Sequence, residues 1–525
     1  MIDFRKYITS LNLVFFVEVF VIFLAVLGIL PREAFLFLLG ILLYFILFSP
    51  YEDSVLLIAR SIPLFAALPI TETFDSLNTW RVVVLALFLK WFFDNNFFLF
   101  LNAVFTILKK SKESIAGAVK FAYQNWKIEF LAFALFFISL LSLFKADDLT
   151  TGIKRMIYFV NLGMLFFVVR SVSQKIGIEK IAKNVLISGI IVAIVGFFQL
   201  FLAYLMPIND FSEFWALQAD KALYGTAWSE IAIRANTWFA YYNETIHLRM
   251  FSSFPDSHSF PLYLLMVLVF TSAIFYKKYS EKKNIKCITA FIALSLFAII
   301  LTGTRGIWAS FAFPAAILIF WYFKKNISKE SLKILALPFI IFLILLPLSA
   351  PVFSSKQFRM DSQNTEENSK IFAKRLKSII DTEEVSNKGR IYIWTETAKS
   401  IIKNPFLGVG IGNFPTVLKE NISAMKAGAS AHNLYLHIPA EIGILGFLIF
   451  MTILFEILKK AWIVFKENSD GVVRFFALNA FLFLVWILGY SLTDVAIFDE
   501  RAFLMLMILL GVLFSIKNEQ SAHIN

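Results

Sequence analysis

Apolar runs of about 20 residues, separated by short polar turns, recur from one end of the chain to the other. A helix of that length crosses a hydrocarbon layer about 30 Å thick. The runs fall at 11–30, 34–49, 54–70, 77–96, 127–144, 153–171, 183–205, 258–276, 285–303, 306–323, 333–350, 435–457, 472–491 and 499–516. The second and third are short enough to be tilted, re-entrant or interfacial, so the pattern predicts about 12–14 spans. The strands of a membrane barrel would alternate apolar and polar positions; these runs do not. The expected fold is all-α, a polytopic transmembrane helical bundle. The first run lacks a small-residue cleavage exit and reads as a span, not a signal peptide. No internal repeat is visible, which withholds support from an inverted-repeat transporter.

Two long polar segments interrupt the spans and divide the chain. Residues 1–206 form N-terminal transmembrane helices, 207–257 a first loop, 258–350 central helices, 351–434 a large loop, and 435–525 C-terminal helices with a tail. In the large loop, "DSQNTEENSK" (361–370) is polar and reads as mobile. "IFAKRLKSIID" (371–381) and "RIYIWTETAKSII" (390–402) read as amphipathic helices. Ile391, Trp394, Ala398 and Ile402 follow helical spacing, and such a helix can lie flat on a membrane with Trp394 at headgroup depth. "NPFLGVGIGNFP" (404–415) then ends the helix. Its "GVGIG" lacks the preceding strand and the glycine spacing of a phosphate loop and reads as a turn.

Composition and charge sharpen this picture. Hydrophobic residues make up 59% of the 525, including 62 phenylalanines, more than a soluble core could hide. The net charge of +12 suggests nucleic acid until the positives are located. They lie between spans: 109–120, 173–183, 277–286, 324–333 and 459–466 are basic, and alternation puts all of them on one side. That side is expected to be cytoplasmic, with Arg5 and Lys6 placing the N-terminus there too, and no nucleic-acid partner is expected. Both long loops then face outward. Cys287 is the one cysteine and cannot form an internal disulfide or a cysteine metal cluster.

Chemistry is sought at the outward ends of the spans. Arg305, in "LTGTRGIWAS", interrupts a long apolar stretch on the face where basic residues are disfavoured, and reads as an anion ligand, with snorkelling at the outer boundary as the alternative. Arg249, in "LRMFSSFPDSHSF", precedes the eighth span on the same face and reads likewise. Asp256 and His258, at the mouth of that span, read as an ordinary helix start, with the aspartate as cap. His432 and His437, in "SAHNLYLHIPAEIG", are five apart. On a helix that is about 500° of rotation, so they are a poor metal pair, and spacing alone favours a structural role for each. Asp147 and Asp148 read as a solvated pair on a short turn. Trp215, Trp228, Trp238 and Trp394, with Tyr241 and Tyr242, read mostly as interface seats; stacking on sugar rings is the alternative. No zinc-protease, paired-cysteine, nucleotide-loop or kinase pattern is present.

Taken together, four stretches resemble the O-antigen ligase and polymerase family of bacterial membrane glycosyltransferases. They are "RMFSSFPDSHSFPLYLL", "LTGTRGIWAS", "GRIYIWTETAKSIIKNPFLGVGIGNF" and "AHNLYLHIPAEIGILGFLIF", and the resemblance covers about 240–460. It implies transfer of a glycan from undecaprenyl diphosphate to an acceptor hydroxyl at the outer face of the bacterial inner membrane. The implied reaction inverts the anomeric centre and uses no metal or cofactor. The implied acceptor is lipid A-core for a ligase, or a second lipid-linked repeat unit for a polymerase. It further implies that Arg249, Arg305 and Arg390 bind the diphosphate, that His432 and Arg305 are catalytic, and that Asn433 and Trp394 contact acceptor or sugar. Thr304 stands where the family's arginine motif usually has serine. Ligase is the leading reading and polymerase the alternative. A flippase for lipid-linked glycans, and a peptidoglycan polymerase of related shape, are the other classes.

Overall fold

The structure is a computed structural model. It describes residues 9–71, 74–96, 102, 105–107, 109–110, 114–234, 237–242, 245–324, 327–358, 385–418 and 430–517. It is an all-α polytopic bundle. Eight helical stretches among the described residues are long and apolar enough to cross a membrane: Lys127–Lys145, Leu149–Ile176, Ile178–Leu205, Ser259–Ser280, Arg305–Lys324, Lys329–Ser354, Leu434–Glu467 and Gly471–Tyr490. Three shorter apolar helices, Ser10–Val26, Ala34–Phe48 and Lys286–Leu301, pack with them. Most are apolar all round, as helices surrounded by lipid or by other helices are. Large side chains such as Phe16, Phe37, Phe48 and Phe323 remain exposed on the bundle's flank, which only a hydrocarbon surround accommodates.

The elements used below are α1 (Ser10–Val26), α2 (Ala34–Phe48), α3 (Tyr51–Ser61), α4 (Thr79–Trp91), α5 (Lys127–Ser142), α6 (Leu149–Ile176), α7 (Ile178–Leu205), α8 (Ser259–Ser280), α9 (Lys286–Leu301), α10 (Arg305–Ser310), α11 (Ala312–Lys324), α12 (Lys329–Leu348), α13 (Val385–Lys403), α14 (Leu434–Glu467), α15 (Gly471–Tyr490) and α16 (Glu500–Ser515). The centre is α8, whose most apolar window is 94% buried. It packs against α7, α9, α15 and α16, and its Tyr263 hydroxyl donates to Ser188 Oγ of α7 at 2.8 Å.

The bundle has two distinct ends. At the basic end, Lys277 pairs with Glu179, the Gln174 amide donates to the Ser515 carbonyl, and Lys460 Nζ donates to the Ile516 carbonyl at 2.7 Å. At the opposite end, the turns before α6, α8, α10, α14 and α16 converge. Leu434 N donates to Ser491 O at 2.8 Å, Met250 N to Leu301 O at 3.1 Å, and Asp148 N to Asn413 Oδ1 at 2.8 Å.

Several expectations are corrected. The run at 54–70 is not one span. Its helix ends at Ser61, a 3-10 turn containing Pro63 follows, and β1 (Ala67–Leu68) pairs antiparallel with β2 (Leu77–Asn78). Proline removes a backbone donor and crowds the turn before it, which favours ending the helix there. The run at 77–96 accordingly begins as a strand and turns helical at Thr79. The first loop also folds. Short helical turns over 208–234 and a hairpin, β3 (Phe239–Tyr242) with β4 (Thr245–Leu248), enclose a core of their own. Trp215 and Trp238 are buried in that core rather than seated at an interface. Trp238 stacks on Phe251 at 4.4 Å and its indole N–H donates to the Pro255 carbonyl at 3.0 Å. Trp228 is half-buried; the side chains of Tyr241 and Tyr242 lie outside the described set.

In the large loop, "DSQNTEENSK" and "IFAKRLKSIID" lie outside the described residues. The helix expected at 390–402 is present as α13. Ile391 and Ile402 stay exposed, while Ile393 and Ile401 join Phe414, Leu436 and Ala440 in a small core against α14. "GVGIG" is a turn, as expected. It docks into a kink of α14 at Gly443 (φ +75°): Ile444 N donates to Pro405 O at 2.8 Å and Val409 N to Ala440 O at 2.9 Å. A Cβ on Gly443 would lie 2.0 Å from the Phe406 carbonyl oxygen.

Candidate active site

The turn after α15, residues 491–499, organises the site end. Asp494 is buried there. Its Oδ1 accepts from Val495 N at 2.7 Å and Ala496 N at 3.0 Å, which fixes the carboxylate. Its Oδ2 faces two histidines from distant parts of the chain: His258 Nδ1 at 2.9 Å and His432 Nδ1 at 3.8 Å. Burial raises the Asp494 carboxyl, but the two rings beside it outweigh that and hold it well below the usual carboxylate range.

His432 is placed by its loop. Asn433 caps α14, its side-chain oxygen accepting from Tyr435 N at 2.9 Å and Leu436 N at 3.2 Å. Trp394 of α13 donates its indole N–H to Ala431 O at 2.9 Å. His432 itself takes a left-handed backbone, φ +44°, a conformation costing about 1–3 kcal/mol that gathers at functional sites. Its Nδ1 is buried without a hydrogen bond, while its side chain is 37% exposed. The exposure therefore falls on the edge away from Asp494. His437 points elsewhere, as its spacing predicts. It is buried against Phe414 at 4.9 Å between ring centres, with Glu441 Oε1 3.6 Å from its Nε2.

The arginines come from other elements. Arg249 directly follows β4, with its backbone N–H on Trp238 O at 2.8 Å. Its guanidinium donates to Thr302 O and to Thr304 Oγ1, both at 3.2 Å, and its Nη2 lies 3.3 Å from His258 Nε2. Arg305 is the half-buried first residue of α10. The next residue, Gly306, packs so tightly on the turn after α15 that a Cβ there would lie 2.3 Å from Thr493 Oγ1. Arg390 of α13 and Arg249 both act electrostatically on Tyr490 at the end of α15. So the fold brings Arg249, the Arg305 turn, Arg390 and His432 around residues 490–496.

Residues 290–451 match the family model described as O-antigen ligase. Over these residues the chain is similar to the O-antigen ligase family. The matched stretch runs from α9 into α14, under a third of the chain, and contains Arg305, Arg390, Trp394, His432 and Asn433. It leaves Arg249, His258, Tyr490 and Asp494 to the rest of the molecule. No curated protein matches the chain. The match and the long apolar helices together support an O-antigen ligase-like membrane protein.

Sequence reasoning missed His258, Tyr490 and Asp494. Asp256 does cap α8, its Oδ1 accepting from His258 N and Ser259 N, each at 2.8 Å. The helix-start reading holds for both, His258 standing at the N-cap position; the ring of His258 in addition turns to Asp494, Tyr490 and Arg249. Asp494 had one available signal: it is an acid in a short turn between two apolar runs. Among the described residues, no three His, Cys, Asp or Glu side chains are grouped to hold a metal ion. Asp148 caps α6, accepting from Thr151 N at 3.0 Å.

Proposed function

We propose that the site end faces the outside of a bacterial inner membrane, and that it moves a glycan from undecaprenyl diphosphate to an acceptor hydroxyl. The observation that carries this reading is the buried carboxylate of Asp494 between His432 and His258, with Arg249 one hydrogen bond further on. A group suited to take a proton and a group suited to hold phosphate oxygens sit on one anchored network. The basic ends of the spans support the orientation, which leaves both termini in the cytoplasm.

In this reading Arg249, Arg305 and Arg390 hold the diphosphate. A guanidinium fork matches phosphate oxygens, and fixed positive charge stabilises the negative charge that grows on the leaving group. The acceptor oxygen bonds the anomeric carbon as the bond from that carbon to the diphosphate breaks. The bonding pair leaves with the diphosphate, and the hydroxyl proton passes to the exposed nitrogen of His432. Asp494 stabilises the resulting imidazolium. A single displacement of this kind inverts the anomeric centre. Asn433 and Trp394, already holding the His432 loop, line the acceptor side. The acceptor is a lipid A-core glycan for a ligase, or a second lipid-linked unit for a polymerase.

The test uses the full chain in nanodiscs, an undecaprenyl-diphosphate oligosaccharide and both kinds of acceptor. Acceptor-dependent release of undecaprenyl diphosphate, persisting in chelator and lost in Arg305→Ala and His432→Ala, is expected. The productive acceptor separates ligase from polymerase. In sealed proteoliposomes, donor that crosses the bilayer uncleaved would replace this reading with transport.

A further inference from the structure

Two arginines at the site end have no role in the proposed transfer. Arg155 lies in α6, about 9 Å along the helix from its outer start at Leu149, and Arg81 lies in the first turn of α4. Both are half-buried. Arg155 is not turned to the lipid. Exposed Ile153, Ile157 and Val160 mark the lipid flank of α6, and Arg155 stands about 200° around the helix from Ile153. It shares a face with Tyr158 and Phe159. Its guanidinium lies 5.3 Å from the centre of the Tyr158 ring, 4.9 Å from that of Phe159 and 5.8 Å from that of Phe498. The Arg81 guanidinium lies against the same Tyr158 ring at 5.6 Å, and against Trp80 at 5.4 Å.

Aromatic faces attract a cation without cancelling its charge. Among the described residues, neither guanidinium donates a hydrogen bond or pairs with a carboxylate, and Arg81 Nε is buried without a partner. Glu500 acts electrostatically on Arg81, but its oxygens are engaged elsewhere, accepting from Asn78 Nδ2 and Trp80 Nε1, each at 2.7 Å. An arginine within a span is costly without a partner, and it commonly marks a substrate path. The 404–415 turn walls this one: a Cβ on Gly412 would lie 3.2 Å from Arg155 Cβ. We propose that Arg155 and Arg81 hold a phosphate group of the acceptor lipid, in a second anion site separate from that of the donor diphosphate. This rests on the reading of the chain as a glycan transferase.

The assignment to the acceptor follows from where the two arginines sit. The Tyr158 hydroxyl donates to Phe498 O at 2.7 Å, which ties them to the turn at 491–499, nearer its α16 end than Asp494. His437 of α14 is acted on electrostatically by both Arg155 and His432, so the site lies within reach of the loop that takes the acceptor proton. Arg249 and Arg390 act instead on Tyr490, where the turn begins. One turn therefore has separate basic groups toward its two ends, built by different helices. A transferase that joins two lipid-borne substrates has two anions to anchor, and a guanidinium fork matches phosphate oxygens. Both acceptor classes carry that group: lipid A-core through its phosphates, a lipid-linked repeat unit through its diphosphate.

The experiment measures equilibrium binding to the full chain in zwitterionic nanodiscs. The probes are lipid A-core with and without its phosphates, and an undecaprenyl-diphosphate oligosaccharide. The variants are Arg155→Gln, Arg81→Gln and Arg155→Lys, with Arg249→Ala for the donor site. For a ligase, each Gln variant is expected to weaken phosphorylated lipid A-core roughly tenfold or more, the worth of a charge-assisted hydrogen bond, and Arg155→Lys to weaken it less. The phosphate-free acceptor is expected to bind parent and Gln variants equally weakly. For a polymerase, the parent is expected to bind two equivalents of the lipid-linked oligosaccharide and each Gln variant one. The equivalent that Arg249→Ala removes is retained in the Gln variants, which reports that they fold. Equal loss of phosphorylated and phosphate-free acceptor overturns the anion site in favour of a packing role. So does binding unchanged in both Gln variants, or loss of the Arg249-dependent equivalent alone. Phosphatidylglycerol retained by the parent from anionic nanodiscs and lost in Arg155→Gln, with glycolipid binding unchanged, assigns the site to bulk phospholipid and overturns the acceptor role. Phosphate- and arginine-dependent binding in a parent that releases no undecaprenyl diphosphate with either acceptor ends the transfer reading while the anion site stands.

Discussion

Asp494 is the residue on which the site turns. Two backbone N–H groups hold one oxygen and two imidazoles face the other. Its folded pKa is depressed, burial being outweighed by His258 and His432. A depressed carboxylate stabilises the fold above its unfolded value, about 3.9, and loses that contribution only as pH falls through the folded value. Asp494 is therefore ionised at neutral pH and well into acid. Replacing Asp494 with Asn leaves both rings without their anchor. It is expected to lower the transfer rate about as much as His432→Ala, by roughly 10²–10⁴-fold. A single-turnover rate close to the parent in Asp494→Asn would remove the carboxylate from the mechanism. Why His258 escaped notice in the sequence is local: Asp256 explains the helix start completely, and nothing within "PDSHS" shows that the ring turns toward a residue far along the chain.

At the scale of elements, the His432 loop depends on how α14 begins and bends. Asn433 caps the helix, and the kink at Gly443 opens room for the turn at 404–411. That turn follows α13, whose Trp394 holds Ala431. One glycine thus joins α13 and α14 into the unit that presents His432. Gly443→Ala would place a Cβ 2.0 Å from the Phe406 carbonyl oxygen in a left-handed backbone. The expected cost is roughly 2–4 kcal/mol, from the backbone conformation and the displaced carbonyl together. It is read as a melting temperature several degrees lower in detergent, with transfer falling alongside; an unchanged melting curve would contradict the packing described. The helix over 390–402 was legible from its spacing, but its buried face was not. Both stripes carry isoleucines, and only the position of α14 decides that Ile393 and Ile401 turn inward.

Across the whole molecule, charge separates the two ends. Lys277, Lys460 and the other basic turns gather opposite the site. Cys287, exposed in the first turn of α9 at the basic end, gives a native probe of the orientation. A membrane-impermeant maleimide added to intact spheroplasts is expected to leave Cys287 unlabelled until the membrane is permeabilised. Gly389→Cys in a Cys287→Ser background, at an exposed position of α13, is expected to label at once. The reverse pattern would turn the molecule over and end the outward-facing reading. The N-terminal third is tied to the site half by buried contacts. Arg501 of α16 donates to Phe65 O at 2.8 Å and lies over the Tyr224 ring at 4.6 Å, and Asp75 receives both Arg32 at 2.6 Å and the Thr226 hydroxyl at 2.7 Å.

The membrane-spanning class, the two ends of different charge, the helix at 390–402 and the placement of Arg249 and Arg305 at one end of the spans were all readable along the chain. Each follows from local chemistry: length of apolar run, placement of lysine, helical period, and a charge where a charge is disfavoured. The broken third run, the folded first loop with its buried tryptophans, and the meeting of His258, Tyr490 and Asp494 with Arg249 and His432 were not readable. Each of these depends on contacts between segments tens to hundreds of residues apart, and a polar side chain at the end of a span looks the same in sequence whether it faces water or a buried partner. Packing around α8 decides which, because it sets the turns before α8 and α14 against one carboxylate.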